Sequence, residues 1–409
     1  MNSETIDKTV FLPLLIECFC KELSEEIMQF PIVQFPAEIH LGKKDERAAF
    51  FPIVVKGSIR LIRYDSNNNE ILIHNVTRMQ SCIMSITAAM GNFTVKGIGI
   101  TNEETIIFAI PNKKSDEWMG KYKCWRKFVT ELYEGRLTEL IEQHDVIRRQ
   151  KDEIFHQKKE ITDSITYAQR IQKAVLPPDD YIQSLLPEHF VFFRPRDIVS
   201  GDYYWLAQIE HRTFVVVADC TGHGVPGAFM SMLGISLLNQ MVNIHQKFNA
   251  GQILDELRNQ VKKSLRQTVD NSESKDGMDL ALMIFDFKNK QVEYAGALNP
   301  LYIIRDNCLI EKQPDRMPIG VYKYADNNFT GHIFPFKKGD MFYAFSDGFI
   351  DQFGGPKRKK FMSKQFKELL TNISTLPVSS QSEFLDKTLN DWKGDNEQTD
   401  DILVMGIRT

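Results

Sequence analysis

The hydrophobic pattern changes character twice along the chain. Over the first 125 residues, short apolar runs at 51–55, 58–64 and 70–76 alternate with polar turns, which predicts a small β-rich domain with helical ends. Asp65-Ser66-Asn67-Asn68-Asn69 supplies a hairpin turn, and Gly57 sits where a tight turn reverses the chain. From Arg136 to Leu176 there is neither Gly nor Pro, and Pro177-Pro178 closes the stretch, so a long helix is expected there. After it, apolar stretches at 189–193, 213–218, 280–286, 291–295, 301–305, 341–345 and 402–407 predict strands, with amphipathic helices at 229–242 and 250–269 between them. Strand pairs interrupted by two adjacent helices predict an α+β layered domain and not a parallel βαβ sheet. The expected organisation is residues 1–125, a helical linker over 126–180, and a third segment over 181–409.

Within the linker, Leu140, Ile147, Ile154, Ile161, Ala168 and Val175 recur every seven residues without a break. The companion row, Leu137, His144, Lys151, Lys158, Ile165 and Gln172, is apolar at only two places. One full seam beside a mostly polar one predicts a weak parallel coiled coil, hence a homodimer stalk roughly 60 Å long whose packing can change at low energetic cost.

Composition narrows the function classes. A hydrophobic share of 43% and a charged share of 25% fit a soluble globular protein, and 409 residues suggest two or three domains. Net charge −4 argues against nucleic acid as the main partner. No apolar run approaches the roughly 18 residues that span a bilayer, and the first residues lack a basic segment followed by an apolar one, so no membrane partner and a cytoplasmic location are expected. Six cysteines without a Cys-x-x-Cys pair do not make a disulfide framework. Cys18-Phe19-Cys20 reads as two half-buried helix thiols, Cys82 as a core cysteine, and no cysteine is followed by an arginine six positions on, which argues against a cysteine nucleophile.

The candidate chemistry lies in four aspartates at the ends of apolar runs. They are Asp202 in Val-Ser-Gly-Asp-Tyr-Tyr-Trp, Asp219 in Val-Val-Val-Ala-Asp-Cys-Thr-Gly-His-Gly, Asp347 in Phe-Ser-Asp-Gly-Phe, and Asp400 in Gln-Thr-Asp-Asp-Ile-Leu-Val. Carboxylates gathered at strand ends repel one another unless a cation holds them. An all-oxygen donor set without a His or Cys cluster suits Mg²⁺ or Mn²⁺ rather than Zn²⁺. Arg194 and Arg196, just ahead of Asp202, are candidates to steer a phosphate or else ordinary surface arginines. His223 reads as a loop-ordering residue or a proton shuttle, Asp279 as an acid that approaches the site, and Asp351 as one outside it.

Five segments in order carry a family resemblance: Phe-Arg-Pro-Arg-Asp-Ile-Val-Ser-Gly-Asp-Tyr-Tyr, Ala-Asp-Cys-Thr-Gly-His-Gly-Val-Pro-Gly-Ala-Phe-Met-Ser, Ala-Gly-Ala-Leu-Asn-Pro, Phe-Ser-Asp-Gly and Gln-Thr-Asp-Asp-Ile. Residues 160–409 resemble the SpoIIE/RsbU-type phosphatases, the bacterial branch of the metal-dependent (PPM) Ser/Thr phosphatases. The resemblance implies two antiparallel sheets flanked by helices, with two Mn²⁺ or Mg²⁺ ions at one edge. By matching motif, Asp219 would bridge both ions, the Cys220 carbonyl would complete one shell, Asp202 would serve the first ion through water, and Asp347 and Asp400 would hold the second. It further implies hydrolysis of phosphoserine or phosphothreonine by an activated water, on a phosphorylated STAS-type anti-sigma antagonist. Ser200, Trp205 and Cys220 depart from the residues commoner at those places, and none of these departures removes a ligand.

Residues 10–150 resemble the cyclic-nucleotide-binding (Crp/Fnr-type) jelly roll, through Pro-Ile-Val-Val-Lys-Gly-Ser-Ile-Arg-Leu and Glu-Ile-Leu-Ile-His. The stretch from Arg78 to Asn92 lacks the Gly-Glu pair and the arginine that receive a cyclic phosphate, so a different small ligand or a structural role is expected. The competing readings are a Crp/Fnr-like transcription regulator, which would need a helix-turn-helix after the long helix, and a catalytically silent phosphoprotein-binding scaffold.

Overall fold

A computed structural model describes residues 6–41, 50–65, 69–82, 97–244, 249–268, 275–322 and 327–409. It divides into two compact units, Met1–Phe155 and His156–Thr409.

In the first unit, the strands Ile32–Phe35, Thr105–Pro111 and Phe50–Lys56 form one antiparallel sheet, and His40–Leu41, Ile98–Thr101, Ile59–Tyr64 and Glu70–Val76 form a second. The three sequence-predicted strands are all present, and Asp65 closes the turn after the second by accepting a hydrogen bond from the Asn69 N–H (2.8 Å). Most of the stretch weighed as a cyclic-phosphate contact, residues 83–92, lies outside the described residues; the preceding Cys82 is buried. The core is aromatic: Trp118 and Trp125 are fully buried and meet at 5.3 Å, with Phe51, Phe19 and Phe128 against Trp125.

One partly buried carboxylate pins this core. Glu26 accepts hydrogen bonds from the Trp118 indole (3.0 Å), the Tyr122 hydroxyl (2.7 Å), Lys114 and Lys121 (3.2 Å each). Burial opposes its ionisation, but these donors outweigh burial and hold the carboxyl down at about 2. A depressed carboxyl contributes stability that is present above the unfolded pKa and lost as pH falls toward 2. Glu26→Ala strands a buried indole N–H and should cost about 2–3 kcal/mol, read as a lower urea midpoint for this unit at neutral pH; an unchanged midpoint would contradict the assignment.

The long helix runs Lys123–Val175 and contributes residues to both units. It starts earlier than the Gly-free stretch predicts because Gly135 sits inside it with nothing within 4 Å of where a Cβ would stand. A solvent-facing glycine costs a helix about 1 kcal/mol and does not break one this long. The heptad residues Leu140, Ile147, Ile154 and Ile161 are all exposed on the single chain.

The second unit is built from two five-stranded antiparallel sheets. One has the order His332–Pro335, Gln291–Ala297, Met278–Asp286, Arg212–Cys220, Tyr203–Ile209, and the other Cys308–Lys312, Leu301–Arg305, Met341–Phe345, Ile402–Arg408, His189–Arg194. Alternation along the inner strands assigns their two faces. Phe342, Ala344, Leu403 and Met405 join Val215 and Val217 in the core between the sheets, whereas Tyr343, Phe345, Ile402 and Val404 pack with Phe366, Leu370 and Leu385 of the helices Ser363–Ile373 and Val378–Lys393. Both faces are buried, which is why these strands read as unbroken apolar runs. The helices Gly224–Ile244 and Ala250–Ser264 cover the outer face of the first sheet; the latter opens with a capping box from Asn249 and Gln252. Trp205 is buried and donates its indole N–H to Asn239 (2.8 Å), fastening helix Gly224–Ile244 to the sheet edge. Two antiparallel sheets between helices answer to the layered α+β arrangement expected of the third segment. Among the described residues no helix is long and apolar enough to cross a membrane.

Candidate active site

The four candidate acids and Asp279 sit where strands of the sandwich begin or end. Asp219 is the next-to-last residue of Arg212–Cys220 and lies directly across from Asp279 at the start of Met278–Asp286. Asp347 follows Met341–Phe345, and its N–H points at the Asp219 carboxylate (3.4 Å). Asp400 and Asp401 immediately precede Ile402–Arg408, and Asp202 immediately precedes Tyr203–Ile209. Gly348 lets these ends meet, since a Cβ there would collide with the Asp401 carbonyl oxygen.

Asp401, not singled out in the sequence, proves to be an anchor. It is buried, and its two oxygens accept the backbone N–H groups of Arg196 and Gly201 (2.7 Å each). It thereby holds the loop that delivers Asp202. The same loop is gripped from the long helix: Gln172 donates to the Ser200 carbonyl (2.6 Å) and accepts from the Ser200 N–H (3.1 Å), and Gln169 donates to the Ile198 carbonyl (2.6 Å). Ser200, where a glycine is commoner, uses its hydroxyl to accept the Asp202 N–H (3.1 Å) and to hydrogen-bond Asp401.

The electrostatics are those of carboxylates forced together. Burial, then Asp219, push the Asp202 carboxyl well above its ordinary range, against a hydrogen bond from Ser346. Burial, then Asp347 and Asp279, push Asp219 well up. Asp347 and Asp401 are raised, chiefly by burial, and Asp279 is pushed up to about 7 by burial and Asp347. Asp202 is 3% exposed, yet its Oδ2 has no hydrogen-bond partner. An orphaned buried carboxylate oxygen facing further carboxylates fits a hard divalent cation, which would satisfy the oxygen and cancel the repulsion. Among the described residues no three His, Cys, Asp or Glu side chains form a closed ligand group by themselves.

The sign of this repulsion has a measurable consequence. A carboxyl raised in the folded state contributes stability that is full below its unfolded pKa and lost as pH rises through the folded value, about 7 for Asp279. Metal-free protein should therefore melt lower at about pH 8 than at about pH 5. Mn²⁺ at a hundredfold excess over its Kd should restore about 2.7 kcal/mol. Calorimetry across that range checks both, and a metal-free melting point that climbs with pH would contradict the reading.

The neighbouring candidates divide. The Arg194 guanidinium donates to Asp386 (2.8 Å) and Asn390 (3.1 Å) of helix Val378–Lys393, which favours the surface-arginine alternative over a phosphate contact. Arg196 is exposed and is engaged through its backbone. His223 bonds Asp197 through Nδ1 (2.7 Å), which orders the Thr221–Gly224 loop. Asp351 is tied to Lys360 (2.7 Å). Cys220 is buried, and burial followed by Asp219 and Asp202 push its thiol well up, which leaves its carbonyl as the useful donor. Beside Asp219, Asp279 and Asp347 opens a cavity of about 240 Å³, also lined by Asn299, Glu311 and Lys367. Lys367 pairs with Glu311 (2.8 Å) and is the one cation among the described lining residues.

The sequence profile of the Stage II sporulation protein E (SpoIIE) family matches residues 209–409. The SiaA-PP2C domain of Pseudomonas aeruginosa is 32% identical, with a TM-score of 0.56 over 62% of this chain and 98% of that one. The chain belongs to the SpoIIE family of PPM-type phosphatases. Two further solved structures are more distant from this SpoIIE-family chain. The PP2C phosphatase domain of SpoIIE from Bacillus subtilis, solved with a fragment of its regulatory domain, is 18% identical at a TM-score of 0.45, over 54% of this chain and 63% of that one. The catalytic domain of the serine/threonine phosphatase PstP, solved with two manganese ions, is 15% identical at a TM-score of 0.39, over 54% and 96%. Comparison with curated proteins gives no match.

Proposed function

We propose that this chain is a regulated, metal-dependent protein serine/threonine phosphatase. The observation that carries the reading is the buried, unpartnered Asp202 oxygen set among Asp219, Asp347, Asp400 and Asp401 in a SpoIIE-family unit. Asp219 would serve both ions, the Cys220 carbonyl would complete the shell of one, Asp202 would serve the first through water, and Asp347 and Asp400 would hold the second. Two bound Mn²⁺ or Mg²⁺ ions supply an acidified water and neutralise phosphoryl oxygens. Asp401 keeps the Asp202 loop in place, and the adjoining cavity receives the phosphorylated residue of the substrate with Lys367 at its edge. The substrate is a phosphoseryl or phosphothreonyl protein, a STAS-type anti-sigma antagonist by the family resemblance. Incubation of the full chain with such a phosphoprotein and Mn²⁺ should release inorganic phosphate; no release above the buffer rate from either phosphoserine or phosphothreonine would contradict it.

The regulatory part of the proposal assigns residues 1–125 as a cyclic-nucleotide-binding-like sensor for an unidentified small ligand and 126–180 as a dimerising stalk, with the catalytic domain at 181–409. The exposed heptad row and the hold of Gln169 and Gln172 on the Asp202 loop support it. The transcription-regulator alternative is disfavoured, because the long helix leads through Asp179–Leu185 directly into strand His189–Arg194.

A further inference from the structure

Cys18 and Cys20 are neighbours in sequence, but the fold gives Cys20 a different companion. Its Sγ lies 2.7 Å from the Sγ of Cys124, 104 positions away, while Cys18 is exposed. That separation is inside ordinary sulfur–sulfur contact and needs only a small further approach to reach the roughly 2.05 Å of a bond. Both sulfurs sit on fixed supports. Cys20 is the N-cap residue of helix Lys21–Ile27, and Cys124 lies in the first turn of Lys123–Val175. Around them Phe19, Leu23 and Trp125 are buried, with Phe128 stacked on Trp125. Each sulfur is only partly buried, so a small oxidant can reach the pair.

We propose that Cys20 and Cys124 are an oxidisable pair that closes to a reversible disulfide, fastening the N-terminal helices to the start of the long helix. The co-reactant is a low-molecular-weight disulfide of the glutathione type. One cysteine thiolate attacks it, breaking its S–S bond, releasing one small thiol and leaving a mixed disulfide. The second cysteine thiolate attacks the protein-bound sulfur and releases the second small thiol. Two cysteine thiols and one small disulfide thus become one protein disulfide and two small thiols, which carry the two cysteine protons. Burial and the neighbouring sulfur raise the Cys20 pKa, so Cys20 rests as a thiol.

The test uses the full chain incubated with excess glutathione disulfide, quenched with N-ethylmaleimide and mapped by mass spectrometry. The expected result is a cross-linked peptide pair containing Cys20 and Cys124, lighter by two hydrogens than the reduced pair and cleaved by dithiothreitol. Closing so long a loop should also raise the melting point of the first unit by roughly 10 °C. Cys124→Ser should remove the cross-link and the shift and leave Cys20 as a stable glutathione adduct. Recovery of both cysteines as maleimide adducts after incubation, or of Cys20 bonded to Cys18, would overturn the proposal.

Discussion

Asp219→Asn should lower phosphate release from a phosphoseryl protein by on the order of a thousandfold or more, because a neutral amide cannot serve as the shared anionic donor. The same substitution should leave the metal-free protein as stable as the wild type or more so. Burial, then the flanking Asp347 and Asp279, raise the Asp219 pKa, and removing its charge relieves both the burial cost and the repulsion. A variant that is both inactive and firmer is the signature of a carboxylate kept for chemistry at the expense of stability. Asp347→Asn should behave alike. Phosphate assays paired with calorimetry measure both sides, and wild-type turnover in either variant would contradict the site.

Gly227→Ala should be destabilising although it adds a single methyl group. Gly201, Gly222 and Gly227 cross in direct backbone contact, and a Cβ on Gly227 would run into the Gly222 carbonyl oxygen and stand 2.8 Å from the Gly201 Cα. Those neighbours are main chain and cannot rotate aside. Gly227 lies in helix Gly224–Ile244, where alanine is intrinsically better by about 1 kcal/mol. Overpacking of about 3 kcal/mol outweighs that gain. The net loss of about 2 kcal/mol should lower the melting point by roughly 4–8 °C, together with reduced turnover, because Gly201 leads directly to Asp202. A melting point at or above wild type would show that the crossing yields easily.

These two sites show what the sequence could and could not disclose. Asp202, Asp219, Asp347 and Asp400 were legible because each follows or precedes an apolar run, and strand ends gather on one edge of a sandwich. Strands buried on both faces, such as Met341–Phe345 and Ile402–Arg408, announced themselves as unbroken apolar runs. Tyr203–Ile209 did not, because its aromatic residues carry polar atoms and Gln208 interrupts the run. Asp401 was hidden beside Asp400: adjacent acids look equivalent until one is seen accepting two backbone N–H groups from a loop about 200 residues earlier. The Arg194 ion pair was hidden for the same reason, since its partner Asp386 is 192 positions away. Cys20 and Cys124 are a third long-range pairing without a local signature. Local periodicity encodes elements, and partners that meet only after folding leave no trace in it.

On the proposed function, the acids at the sheet edge work by holding divalent ions. The most direct measurement is the initial rate of phosphate release by the full chain from a phosphoseryl protein as a function of free Mn²⁺, starting from chelator-treated enzyme. The expected rate is indistinguishable from buffer without metal, rises saturably as Mn²⁺ is added, and is absent at every Mn²⁺ concentration in Asp219→Asn. An undiminished rate from demonstrably metal-free enzyme would contradict it.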